Sequence, residues 1–400
     1  MIRHRVIVQA SSRSWSGAQD LCMASVKGQP VIYWTIKRIL DSMPEVEIKV
    51  AAPAFDHGGS LEFLLDIFES GIISIFYGHD ASPLNRMLEI CQDLENDDHI
   101  IRVDGLHFCI DTHSSLKMLQ LAKSEQFDCV KFPDDFPVQF TSDIYRVGAL
   151  RKLDVLLNEG SETIFRVHPK FYMFMRDDEF RCAYLQDLPV YKDEFFQQCR
   201  ETAKSVYRVP RLEVNDKRVW SGDQLSFHYE LATKYLAPTM KVLDIACGAG
   251  YGTRKLADQV GEVHGGDIDS DVIAQVRGEA HYRNICFHTE DVTKMSFPDN
   301  LFDAVVSMET IEHVVADDCL KEIRRVLKPG GLSVISTPQN ALGRIPINAM
   351  HMREYSLEEI VELCERYLTI REVIGIKAGR IVIPRSPKGT NTVIVCEKSL

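Results

Sequence analysis

The chain has 400 residues, 45% of them hydrophobic and 26% charged, with a formal net charge of −12. That length favours two cores over one, and the acidic balance excludes a broad nucleic-acid surface. No apolar run approaches the roughly 18 residues of a membrane span, the opening MIRHRVIVQA is too short for a signal peptide, and eleven cysteines without a C-x-x-C pair suit neither a disulfide framework nor a zinc ribbon, so a cytoplasmic location is expected. Residues 5–9 read as a strand, 11–19 as a polar loop, 30–41 as a helix and 47–52 as a second strand, a β-loop-α-β opening. Residues 80–94 follow as a helix, 99–103 as a strand running into DGLHFCID, and 114–123 as another helix. The first half is therefore an α/β domain with its own sheet.

VIVQA, KGQPVIYWTI, ASPLNRMLEICQDLENDDHIIRVDGLHFCID and FPVQFTSDIYRVGAL occur in that order over about residues 4–180. This order resembles the sugar-activating cytidylyltransferases of the spore-coat polysaccharide and acylneuraminate type. The departures count against catalysis. The first loop, SSRSWSGAQD, keeps Arg13 but has Asp20 near the place of a phosphate-neutralising lysine, and Leu106 stands where the family has a magnesium-holding aspartate. Leucine cannot ligate a hard cation. Asp111 and Asp143 persist, but two acids without the basic loop make a poor phosphate-transfer site. The resemblance thus implies a degenerate nucleotidyltransferase-like domain that either binds a nucleotide sugar or only packs against its neighbour.

Residues 159–218 are too aromatic and charged for a flexible linker. They read as the tail of the first domain and a helix over 192–206. The boundary is expected between 208 and 216, near Pro210, giving domains 1–210 and 211–400. Residues 223–236 form the next helix, with Phe227, Tyr229 and Tyr235 as core or as cover for a ligand.

The stretch KVLDIACGAGYG, residues 241–252, is a buried strand that turns through Gly248, Gly250 and Gly252 into a helix. Its G-x-G-x-G spacing differs from the dinucleotide fingerprint G-x-G-x-x-G, and Asp244 at the strand end would repel a pyrophosphate and attract an ammonium. A second strand, 262–268, contains Asp267, placed to accept both ribose hydroxyls. A third, 285–289, leads into Glu290 and Asp291; a fourth, 302–308, leads into Glu309-Thr310-Ile311-Glu312-His313. A helix over 317–327 and a strand over 332–337 follow. Four acidic strand ends in succession mark a ligand site beyond the carboxyl edge of a doubly wound sheet.

VLDIACGAGYG, GGDIDSD, FDAVVSMETIEHV and LKPGGLSVISTP resemble the class I S-adenosylmethionine (SAM)-dependent methyltransferases, in particular the branch of ubiquinone-biosynthesis and bacterial polysaccharide enzymes. The resemblance runs from about residue 220 to the C-terminus. It implies SAM as cofactor and, by position, Asp244, Ala246, Gly248, Gly250, Asp267, Ile268, Asp291, Val292 and Met308 as its contacts. Cys247 reads as a small buried side chain. The expected fold is α/β: two doubly wound α/β domains, nucleotidyltransferase-like at the N-terminus and a Rossmann-like seven-stranded methyltransferase at the C-terminus.

Methyl transfer to a hydroxyl needs an aligned acceptor and a destination for its proton. Glu309, Glu312 and His313 lie at the fourth strand end. If the chain turns helically there, the two carboxylates and the imidazole share a face and suit Mg²⁺ or Mn²⁺; otherwise His313 is a base held by Glu309 or Glu312. His351 is a fourth candidate catalytic group, on a loop with Asn348 and Arg353 ahead of a capping box at Ser356 and Glu359. The basic excursion 378–390, with Arg380, Arg385 and Lys388, either meets an acceptor phosphate or is solvated. Strands over 368–376 and 392–397 close the sheet. The function expected is methylation of a hydroxyl or nitrogen of a sugar or nucleotide-activated sugar in bacterial surface-polysaccharide biosynthesis. The alternatives are a bifunctional CMP-sugar cytidylyltransferase and methyltransferase, and a non-catalytic binding or scaffold subunit.

Overall fold

The computed structural model describes residues 5–12, 21–69, 71–158, 163–206, 224–279, 283–343, 346, 348 and 350–400. The chain forms two compact units, Met1–Arg208 and Val209–Leu400. Arg13, Asp20 and the stretch expected to hold the boundary lie outside the described residues. Among the described residues no helix is long and apolar enough to cross a membrane.

The first unit is built on a seven-stranded sheet. Strands β1 (Arg5–Gln9), β2 (Glu47–Pro53), β3 (Ile73–Gly78) and β4 (His99–Asp104) run parallel in the order β3-β2-β1-β4. Every residue of RVIVQ in β1 is buried, as a central parallel strand requires. Beyond β4 come β6 (Asp143–Arg146), antiparallel to it, then β5 (Cys129–Lys131) and β7 (Cys182–Tyr184). The sheet is therefore mixed rather than wholly parallel. Helix α1 (Val31–Ser42) follows the first loop, and α2 (Pro83–Ile90) begins at a Ser82 cap with proline in its first turn. Asp111 caps α3 (Thr112–Glu125). Helix α4 (Val147–Asn158) follows β6, and α5 (Asp193–Val206) lies against Phe140 through Phe195 and Phe196. A disulfide between Cys109 and Cys199 ties the loop after β4 to α5. Cysteine spacing gave no sign of that bridge, because its partners are 90 residues apart and meet only through the fold.

The second unit opens with α6 (Gln224–Thr233), followed by β8 (Lys241–Ile245), α7 (Tyr251–Ala257), β9 (Glu262–Asp267), α8 (Ser270–Glu279), β10 (Ile285–Thr289) and β11 (Phe302–Met308). Then come α9 (Ala316–Val326), β12 (Leu327–Pro338), α10 (Leu357–Glu365), β13 (Thr369–Lys377), β14 (Ile381–Val382) and β15 (Asn391–Glu397). The sheet order is β10-β9-β8-β11-β12-β15-β13-β14, parallel through β12 and antiparallel after it. The expected seven strands are all present. The two-residue β14, in the basic excursion, adds an eighth.

Alternate residues of each strand feed opposite faces. Leu243, Val305 and Ile335 pack with Leu320, Ile323 and Ile360 on one face. Val242, Val306 and Val334 pack with Tyr229, Leu256 and Ile376 on the other. Burying each such side chain contributes about 1.5–3 kcal/mol, so a sheet covered on both faces holds its strand ends rigidly. The carboxyl ends of β8, β9, β10 and β11 thus become one fixed edge.

Candidate functional site

At that edge the backbone after β8 takes left-handed conformations at alternate residues, with φ of 62° at Ala246, 52° at Gly248 and 72° at Gly250. A Cβ added at Gly248 would meet no atom within 4 Å, so open space lies over the turn there. Asp244 is fully buried; Oδ1 accepts from the Tyr229 hydroxyl at 3.0 Å and Oδ2 from Thr253 Oγ1 at 2.6 Å. Burial pushes its carboxyl up to about 6 against the pull of those two donors. Both Asp244 oxygens thus brace the turn from beneath.

Asp267, the last residue of β9, accepts from the Gly248 N–H at 2.8 Å through Oδ2 and from the Asp269 N–H at 3.0 Å through Oδ1. Ile268, directly after it, is 65% exposed, an apolar surface beside the acid. Asp291 accepts from both the backbone and the hydroxyl of Thr293, which hold its carboxyl below the usual range. Val292 and Met308 are buried core residues. Cys247 is buried, and burial pushes its thiol above the ordinary value.

The fourth strand end departs from the expected arrangement. Glu309 has a positive φ of 50°, and Ile311–His313 form a 3₁₀ turn instead of a turn of α-helix. The Glu309 carboxylate therefore turns toward β12 and β15, accepting from Ser336 Oγ and Asn391 Nδ2, each at 2.8 Å, with His228 Nδ1 at 3.5 Å. Glu312 is 1% exposed: Oε2 accepts from Thr337 Oγ1 at 3.0 Å, while Oε1 is buried with no hydrogen-bond partner among the described residues. Burial, and next the nearby charge of Glu309, push the Glu312 carboxyl well above its ordinary value.

The loop bearing His351 docks on that turn. Its Met352 and Arg353 N–H groups donate to the Glu312 carbonyl, and His313 Nδ1 lies 3.1 Å from the Met350 carbonyl. The His313 and His351 rings meet edge to face at 4.8 Å. His351 Nδ1 pairs with Glu354 at 2.7 Å, and Nε2 accepts from Asn348 Nδ2 at 3.0 Å. Glu312, His313 and His351 offer ligand atoms within 4.8 Å of one another. Of the expected set of Glu309, Glu312 and His313, the structure brings Glu312 and His313 together, with His351 beside them, while Glu309 turns toward Ser336 and Asn391. Arg353 bonds Glu359, and Ser356 and Glu359 form the expected capping box.

Three participants escaped the sequence reading. His228, on α6, is 1% exposed, and Ser336 and Asn391 meet Glu309 only because β12 pairs with β11 and β15. A histidine beside Tyr229 on α6 was the one available signal.

The pattern of the methyltransferase-domain family matches residues 243–335. The "Probable S-adenosylmethionine-dependent methyltransferase" of Mycolicibacterium smegmatis is 34% identical over 144 residues, covering 34% of this chain and 55% of that protein. A ubiquinone/menaquinone biosynthesis C-methyltransferase of Laribacter hongkongensis is 36% identical over 122 residues, covering 28% of this chain and 47% of its own. The chain thus spans about half the length of these curated relatives. Among solved structures, the PH0226 protein of Pyrococcus horikoshii OT3 is 24% identical, with 48% of this chain and 98% of that chain covered at a TM-score of 0.39. A glycine turn tied to the acid of the second strand, within a sequence that matches this family, identifies the C-terminal region as a class I SAM-dependent methyltransferase domain.

Proposed function

We propose that the protein transfers a methyl group from SAM to a hydroxyl, or a nitrogen, of a sugar or nucleotide-activated sugar in surface-polysaccharide biosynthesis. The observation that carries the cofactor half is the Gly248 N–H bond to Asp267 at 2.8 Å. It fixes the acid's orientation beside the open space over Gly248, and a carboxylate at this strand end suits ribose hydroxyls. The exposed Ile268 offers an apolar face to a purine, and Asp291 stands at the next strand end. The residues present therefore fit the cofactor, which when bound supplies a methyl group already activated on a sulfonium. The protein's task is then to align an acceptor, exclude water and receive a proton.

The acceptor half rests on the sugar-nucleotide resemblance of the first unit. There Asp111 caps α3 and accepts from Tyr191, while Asp143 is buried against Lys170 and Arg102. Acids so committed favour a domain that binds or packs over one that transfers nucleotides. A cytoplasmic location belongs to the proposal and rests on composition; the Cys109–Cys199 bridge counts against it, because reducing compartments seldom keep disulfides. If Mg²⁺ or Mn²⁺ takes part, Glu312, His313 and His351 would hold it, His351 Nε2 exchanging its hydrogen bond from Asn348 for the ion, and the Glu312 oxygen that lacks a hydrogen bond is the feature that favours a cation there. The ion would supply orientation of neighbouring acceptor oxygens and a lowered hydroxyl pKa.

The test is methyl transfer from radiolabelled SAM to a panel of UDP-, GDP- and CMP-sugars, run beside pyrophosphate release from CTP with sugar acids. Label on a sugar without pyrophosphate release supports the reading. Pyrophosphate release would replace it with a two-activity enzyme, and label confined to non-sugar acceptors would remove the substrate class.

A further inference from the structure

Resting on the methyl-transfer reading, we propose that His228, oriented by Glu309, is the base that receives the acceptor's proton. The tautomer of His228 is fixed by hydrogen counting around Ser336. Its Oγ accepts the Glu309 N–H at 3.1 Å and donates its hydrogen to Glu309 Oε1 at 2.8 Å. With that hydrogen spent, Ser336 can only accept from His228 Nδ1, which lies 3.1 Å away. The second neighbour of Nδ1 is Glu309 Oε1 at 3.5 Å, a carboxylate oxygen that also only accepts. Nδ1 must therefore carry the ring hydrogen, and Nε2 must present a lone pair.

That Nε2 is buried and has no hydrogen-bond partner among the described residues. Buried polar atoms in folded proteins are nearly always paired, so this one calls for a partner that arrives with a ligand. Its place in the fold suits an acceptor hydroxyl. The next residue on α6, Tyr229, reaches Asp244 beneath the glycine turn, and Glu309 follows the last residue of β11, so α6 lies across the same strand ends. Burial holds the imidazole below its ordinary pKa, neutral at physiological pH as a proton acceptor must be.

In the step, the acceptor oxygen forms a bond to the methyl carbon while the carbon–sulfur bond breaks. The bonding pair stays on sulfur, giving the neutral thioether, and the hydroxyl proton passes to His228 Nε2. The imidazolium so formed faces the Glu309 carboxylate, whose second oxygen is held by Asn391. Glu309 is thus a positioning residue that fixes the tautomer and balances the charge. His313 is less suited, since its side chain is 42% exposed and lies beside the raised carboxyl of Glu312.

The experiment is long-range ¹H–¹⁵N correlation of the ¹⁵N-histidine-labelled full chain with S-adenosylhomocysteine added. His228 is assigned by the signals lost in His228→Gln and, independently, in His228→Asn. The expected spectrum has a protonated Nδ1 and an unprotonated Nε2, and Glu309→Gln should shift the tautomer balance toward Nε2–H. An Nε2–H tautomer in the unmodified protein overturns the proposal, and an unchanged spectrum in Glu309→Gln overturns the role of Glu309. If S-adenosylhomocysteine does not bind at all, the methyl-transfer reading fails and takes this proposal with it. If it binds while the tautomer is wrong, only the base assignment fails.

Discussion

The Tyr229 hydroxyl donates to Asp244 at 3.0 Å, and the Tyr229 ring fills the space that a side chain on Gly252 would need, a Cβ there falling 2.0 Å from ring Cζ. One aromatic residue thereby clamps α6, β8 and α7 together around the glycine turn. Gly252→Ala should expel the ring, lowering stability by about 1–3 kcal/mol and weakening S-adenosylhomocysteine binding at least tenfold. Tyr229→Phe should keep the packing and lose about 1 kcal/mol. Thermal unfolding and titration of both variants check this; an unaffected Gly252→Ala variant would contradict the clamp.

Asp244 gives a pH signature. Its folded pKa, about 6 through burial, lies above the ordinary aspartate value, so the folded chain binds the proton more tightly than the unfolded one. Ionised Asp244 therefore penalises folding above pH 6, and the penalty fades as pH falls toward 4. Asp244→Asn should lack this term. The stability difference between variant and wild type should move in favour of the wild type by up to about 3 kcal/mol between pH 8 and pH 4. Urea unfolding at a series of pH values measures it, and parallel curves would show that Asp244 does not titrate in the window.

The fold of the second unit was legible because its signals are local. Apolar strands such as VLDI, the glycine turn and the capping box at Ser356 each act within a few residues, and each is present. The acids at the strand ends were legible for the same reason. What sequence could not supply was the direction in which they turn. The positive φ at Glu309 and the 3₁₀ turn after it send that side chain toward Ser336 and Asn391, partners 27 and 82 residues away that only sheet pairing brings near. In the first unit, short strands such as Cys129–Lys131 and Cys182–Tyr184 are defined by their partners rather than by periodicity.

The cluster of Glu312, His313 and His351 should bind Mn²⁺ in calorimetry, and Glu312→Gln should abolish the heat by removing the buried carboxylate. His313→Ala should slow methyl transfer at least about tenfold while cofactor affinity stays unchanged. Full activity after EDTA treatment, with no Mn²⁺ heat, would remove the cation from the account.

The bridge between Cys109 and Cys199 closes a loop of 90 residues. Loop-closure entropy assigns such a crosslink up to about 4.6 kcal/mol. Dithiothreitol, or Cys199→Ser, should lower the unfolding temperature of the first unit and leave S-adenosylhomocysteine binding by the second intact. An unfolding profile indifferent to reductant would show that α5 is held by Phe195 and Phe196 alone.

Whether the glycine turn takes SAM rather than a dinucleotide is measured by titrating S-adenosylhomocysteine, and separately NAD⁺, into the full chain by calorimetry, with Asp267→Ala as control. A single site for S-adenosylhomocysteine is expected, weakened at least about a hundredfold by losing the acid that ties to Gly248 and is proposed to meet the ribose, with no heat from NAD⁺. Binding of NAD⁺ without S-adenosylhomocysteine, or wild-type affinity in Asp267→Ala, would contradict it.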